Sequence, residues 1–225
     1  MTNKPLTTIG LIMPNDFPVS AYEKIHSRIT AKQKTHPDSW SLYAGAWNAV
    51  AYRFYACVDH DKAFTESVQR GGSSPPQPER YIQEKELFCF FVTGLAVIES
   101  FCYGLFAIGS ILDKKNFKIG ISKELRSISP EKTTRQFLKA FPQDDIAREL
   151  NQMINAQEFI DWKEIRNILT HRSAPGRLIS LGREETLWIK GIQIDINTTT
   201  SKLKWLEKTM SDLLKAADTL TNRYL

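Results

Sequence analysis

Residues 87–112 read LFCFFVTGLAVIESFCYGLFAIGSIL, and the use made of that stretch decides the fold. It has the length of a membrane span, with one charge, Glu99, near its centre. A mid-span carboxylate costs about 2.5–3.5 kcal/mol on insertion scales, which makes a span tolerable but unusual. A helix apolar on all sides serves equally as the central helix of a bundle. Small residues recur at Thr93, Ala96, Ser100, Gly104 and Ala107, a stripe along which a neighbouring helix can come close. No second stretch of this kind occurs, and no cluster of positive charge abuts this one. The expectation is a buried helix from about Glu79 to Lys114, with no membrane partner.

Before it, HPDSW (36–40) predicts a helix start with Asp38 or Ser39 as N-cap. Tyr43, Trp47, Val50, Phe54 and Val58 follow at spacings of four and three, an amphipathic helix that runs to Arg70. GGSSPPQP (71–78) then forms a loop between helices. Within that helix Arg53, Asp59, His60 and Asp61 read as a hydrated helix end without chemistry. Residues 1–36 carry scattered Pro and Gly without a sustained period and read as an irregular N-terminal arm.

After it, a short helix is expected over Pro130–Ala140, and Ile146, Leu150 and Met153 mark another. A further helix starts near Gln157 and stops at HRSAPG, because Pro175 disfavours helical angles at Ala174. TLWIKGIQIDI (186–196) alternates at Ile192, Ile194 and Ile196, and Lys190-Gly191 suits the turn of a β-hairpin. Leu203, Leu206, Met210, Leu213, Ala217, Leu220 and Tyr224 repeat at three and four, as in a bundle helix facing a core. The fold class is therefore all-α, an antiparallel bundle with one hairpin, in a single domain over 37–225.

Composition agrees. The chain has 225 residues, 42% hydrophobic and 24% charged, which excludes the disordered class. Its formal charge of +5 suits an anionic partner such as RNA. Cys57, Cys89 and Cys102 lie inside apolar segments without paired spacing, so reduced, buried thiols are expected and neither a disulfide framework nor a metal site. The first residues lack a long apolar run and a cleavage site, and a cytoplasmic location without a cofactor is expected.

One segment carries chemistry. WKEIRNILTHRSAPGR (162–177) puts Arg166, Asn167, His171, Arg172 and Arg177 about a helix end. Asn167 and His171 are four apart and share a face, with Glu164 one turn earlier. Arg166 and His171 lie about 140° apart on an ideal helix, so they converge only if the helix unwinds or a second copy joins the site. Histidine shuttles a proton near neutral pH, and arginine grips phosphate with two parallel hydrogen bonds. Together they suit RNA cleavage in which the ribose 2′-oxygen attacks the neighbouring phosphorus. The spacing alone is unspecific, since RFYACVDH (53–60) shows a similar one in mid-helix.

The context of IRNILTHR, in a helical chain with a long apolar helix carrying one acid upstream, resembles the HEPN superfamily of nucleotide-binding and ribonuclease domains. Arg166, Asn167 and His171 match its motif of Arg, a polar residue, a few residues and His. The resemblance implies a helical homodimer with the motif helices juxtaposed, a metal-independent endoribonuclease, and a role as a toxin, with an antitoxin partner, or in antiviral defence. It equally admits a catalytically inactive module for nucleotide binding or dimerisation. It implies catalytic roles for Arg166, Asn167 and His171. Glu99 is expected as a buried acid that fixes Arg166, Glu164 as a supporting residue, and Arg172 and Arg177 as RNA contacts.

Overall fold

The structure, a computed structural model, describes residues 6, 10–72, 74–171, 176–178, 186–189 and 192–225, with no side-chain description for 176–178 and 186–189. Among the described residues the chain is dominated by eight helices: α1 (Val19–Thr30), α2 (Pro37–Gly71), α3 (Gln77–Leu112), α4 (Ser122–Arg126), α5 (Pro130–Ala140), α6 (Asp145–Asn155), α7 (Gln157–His171) and α8 (Ile196–Tyr224). Three short strands, β1 (Gly176–Leu178), β2 (Thr186–Ile189) and β3 (Ile192–Ile194), pair antiparallel in that order.

Local chemistry accounts for the ends. Helix α5 starts where the Ser129 hydroxyl accepts from the Lys132 amide at 3.2 Å, with Pro130 in the first turn. Helix α2 begins at Pro37, one residue before the expected cap. Proline has no N–H to lose at a first helical position. Ser39 instead is buried and takes a hydrogen bond from the Ser110 hydroxyl at 2.8 Å. The supposedly irregular arm contains α1, whose Ala21, Tyr22, Ile25 and Ile29 form one buried face. Ile196, expected as the last strand residue, is the first residue of α8. Strand β1 was not anticipated, and the expected Lys190-Gly191 turn lies outside the described residues.

The chain parts into two compact units, and α2, α3 and α8 each contribute a portion to both. The first comprises Met1–Tyr52, Ala96–Ala156 and Glu207–Leu225. Its core centres on Trp47, which stacks on Tyr22 at 5.2 Å and lies 5.9 Å from Phe101. Two hydrogen bonds lock the pair: the Tyr22 hydroxyl donates to the Trp47 carbonyl at 2.9 Å, and the indole N–H donates to the Tyr22 carbonyl at 3.3 Å. Gly104 lets this indole approach α3, since a Cβ there would lie 3.2 Å from Trp47 Cε3. On α8, Met210, Leu213, Ala217 and Leu220 are buried at the expected spacing.

The second unit comprises Arg53–Leu95 and Gln157–Leu206. Trp162 of α7 is fully buried against α3, stacked on Phe90 at 5.2 Å and edge-on to Phe91 at 5.8 Å. Its indole N–H donates to the Phe91 carbonyl at 2.9 Å. Gly94 makes room for the ring, as a Cβ there would stand 2.0 Å from Trp162 Cζ2. Trp205 of α8 flanks the same indole at 6.2 Å. Burial against such neighbours accounts for the apolar helix: α3 is long and apolar enough to cross a membrane, but 72% of its most apolar window is buried inside the protein.

Polar pairs also hold this unit. Glu86 is buried, with one oxygen 2.6 Å from His60 Nδ1 and the other 2.6 Å from Lys85 Nζ. Burial pushes its carboxyl up, but the bonds to Lys85 and His60 outweigh that and hold it below the usual range. Asp61 is buried too, and burial raises its carboxyl while a hydrogen bond from Thr199 partly offsets the rise. His60 and Asp61 therefore belong to the interior of α2 rather than to a hydrated helix end. A raised folded-state value favours the protonated form. Stability is thus expected to fall as pH rises from the ordinary carboxylate range through the folded-state value. Asp61→Asn removes that penalty. Urea midpoints should show the variant gaining on the natural chain between pH 4 and pH 7, whereas a constant gap would rule the account out.

Candidate functional site on α7

Helix α7 has two sides. Phe159, Trp162, Ile165 and Ile168 are buried and fasten it to the unit, and Asp161 accepts from Lys202 of α8 at 3.0 Å. Ile160, Glu164, Asn167 and His171 sit at spacings of four, three and four, on the side away from Trp162. Ile160 is 46% exposed, Glu164 and Asn167 are half-buried, and His171 is exposed. The sequence thus spends one face on packing and leaves the other in water.

Arg166 stands between the two. It is one turn after Trp162 and half-buried, with its Nε enclosed. Its backbone carbonyl accepts from the Thr170 hydroxyl at 2.8 Å. Helix α7 stays helical to His171, so no unwinding before that residue swings the imidazole toward the guanidinium. The two side chains leave the helix about 140° apart, on opposite flanks of its polar surface.

No known protein family, curated protein or solved structure matches the chain. The site therefore rests on its own residues.

The remaining expected residues divide. Arg172 lies outside the described residues, and Arg177 falls on β1 without a described side chain. Glu99 is exposed, which corrects its reading as a buried acid. The periodicity explains why: Tyr81, Phe88, Val92 and Glu99 fall within about 40° of one another on α3, and that face is the less buried one. Burial therefore supplies no reason for Glu99 to seek Arg166 as a partner. Trp47 and Trp162 are core residues, as expected of large aromatics at helical spacing. Cys57 and Cys102 are buried free thiols and Cys89 is half-exposed, so burial holds for two of the three. Burial pushes both Cys89 and Cys102 thiols up, away from reactive thiolate.

Proposed function

We propose that the chain is a metal-independent endoribonuclease of the HEPN type, with a site completed by a second copy. The observation that carries this is α7 itself: an exposed histidine shares an outward face with an amide, one turn beyond a half-buried arginine, at the end of a helix.

In this reading the scissile phosphate sits between the polar surfaces of two copies of α7, because Arg166 and His171 of one unbroken helix do not converge. Arg166 holds its oxygens from one flank and offsets the charge that grows on them in the transition state. His171 takes the proton of the ribose 2′-hydroxyl. The 2′-oxygen forms a bond to phosphorus as the bond to the 5′-oxygen breaks, and a second histidine protonates that leaving oxygen. The products are a 2′,3′-cyclic phosphate and a 5′-hydroxyl. Asn167 orients the imidazole or a substrate oxygen, Glu164 supports Asn167 from one turn away, and Arg172 and Arg177 bind neighbouring RNA. The HEPN-like bundle, its hairpin beside the site and a cytoplasmic location, with toxin or defence work against RNA, belong to the same proposal.

A homodimer paired about a two-fold axis through the outer faces of α7 supplies the second histidine, because such an axis presents the same patch twice. Ile160, exposed on that face, offers apolar area to the pairing. Sedimentation equilibrium is expected to show a dimer of the 25.8 kDa chain. A monomer at concentrations that cut RNA would remove the second histidine and with it the composite site.

A further inference from the structure

The first unit holds a cavity of about 560 Å³ that the chemistry proposed for α7 does not use. Its walls are the start of α2 with the residues just before it, the end of α3, and the stretch from Ile119 to Leu125. Small-molecule sites run from about 300 to 1,000 Å³, so the space suits such a guest. Leu42, Ile119 and Leu125 are half-buried and give it apolar wall. Ser39 and Ser110 line it too, each more than nine-tenths buried, with their hydroxyls 2.8 Å apart. A hydroxyl has one donor and two acceptor sites, and Ser110 is the one partner of the Ser39 hydroxyl among the described residues. Ser39 therefore keeps hydrogen-bonding capacity for a guest.

Charge gathers at the same place. Lys114 lines the cavity, and Lys115, Lys118, Lys123 and Arg126 follow it along the chain, around the lining residues Ile119 and Leu125. On the other side Lys32 and Lys34 precede the lining residues Thr35 and His36. Against these seven cations, residues 32–42 and 113–126 hold three acids, Asp38, Asp113 and Glu124. The resulting +4 is most of the chain's formal +5. None of the seven forms an ion pair among the described residues. Like charges gathered in this way repel one another, and a multiply charged anion among them offsets the repulsion.

We infer that this cavity binds a small organic phosphate, whose phosphate meets Lys114 and the Ser39 hydroxyl and whose apolar body lies on Leu42, Ile119 and Leu125. A phosphate monoester carries close to two negative charges at neutral pH, which matches a group of unpaired cations better than a single carboxylate does. The apolar wall asks for a body beside the charge, since inorganic phosphate would leave that wall uncovered. Asp38, the one acid on the wall, is exposed and opposes the anion, so its removal should tighten binding. The inference stands on the first unit alone and does not depend on RNA cleavage by α7.

The test is titration calorimetry on the full chain with 1-naphthyl phosphate as the probe, beside 1-naphthol and inorganic phosphate. One probe molecule should bind per chain, and 1-naphthol and inorganic phosphate, each lacking one half of the ligand, should bind at least about tenfold more weakly. Lys114→Gln should weaken the probe about tenfold, the usual loss of a hydrogen bond to a charged group. Lys204→Gln, at an exposed lysine of α8 outside the cavity, is the net-charge control and should bind as the natural chain does. Asp38→Asn should bind more tightly. Ser41→Trp, at an exposed position on the wall, should fill the space and abolish binding with an unchanged urea midpoint. No binding by the natural chain, equal binding of 1-naphthol, or equal losses in Lys114→Gln and Lys204→Gln overturns the inference. So does tighter, Lys114-dependent binding of single-stranded RNA, which would give these cations to a nucleic-acid strand instead.

Discussion

Replacing His171 by alanine is expected to slow RNA cleavage by about 100- to 10,000-fold, the usual contribution of a positioned acid–base group. The fold should not suffer. His171 is exposed and is the last residue of α7, so its removal opens no cavity and breaks no packing. Urea unfolding of the variant should therefore match that of the natural chain within about 0.5 kcal/mol. RNA binding should also survive, since the imidazole acts on the proton and the cations hold the backbone. Cleavage measured under single-turnover conditions separates these effects. Equal rates for His171→Ala and the natural chain would remove the histidine from the chemistry. A lost rate together with lost folding would show that the residue supports the helix end instead.

Trp162→Ala should act in the opposite way, costing about 3–5 kcal/mol of stability through the cavity it leaves. The side chain is fully buried, stacks on Phe90 at 5.2 Å and donates to the Phe91 carbonyl at 2.9 Å. Gly94, which the ring packs against, has no side chain to move into the space. Trp162 is also the point from which α7 presents Arg166, one turn further on. Denaturation should show a lower urea midpoint with an unchanged slope, and Trp162→Phe should recover part of the loss. A shift under about 1 kcal/mol would mean that α7 is held chiefly by other contacts, such as Asp161 with Lys202 at 3.0 Å.

Much of the helical architecture was legible because strong local signals agreed with burial. Ser129-Pro130 marks the start of α5, and Leu206, Met210, Leu213, Ala217 and Leu220 all face a core. The long apolar segment was legible as a helix but not in its partners. The stripe of small residues located the close approach at Gly104, yet Gly94 and Gly109 admit the rings of Trp162 and Phe117, which come from elsewhere in the chain. Periodicity cannot name such a partner. Helix α1 is weakly marked in the sequence because its 12 residues sit in a segment with scattered proline and glycine, where a four-residue apolar face is a faint signal. Strand β1 is three residues long and could not be separated from a loop by alternation.

The site was legible in angle and not in environment. Numbering alone puts Arg166 and His171 about 140° apart, and the unbroken helix keeps them there. Exposure needed the fold. Glu99 sits amid apolar neighbours in the chain and reads as buried, but one face of α3 is less covered than the rest and carries it outward. His60 reads as idle, yet α3 brings Glu86 within 2.6 Å of its ring.

The most direct measurement is the chemistry of the RNA ends made by the purified protein in EDTA. Fragments ending in a 2′,3′-cyclic phosphate and beginning with a 5′-hydroxyl, absent from His171→Ala reactions, are predicted. RNA left intact, or cut only when a divalent ion is restored and then bearing 5′-phosphates, would contradict the account.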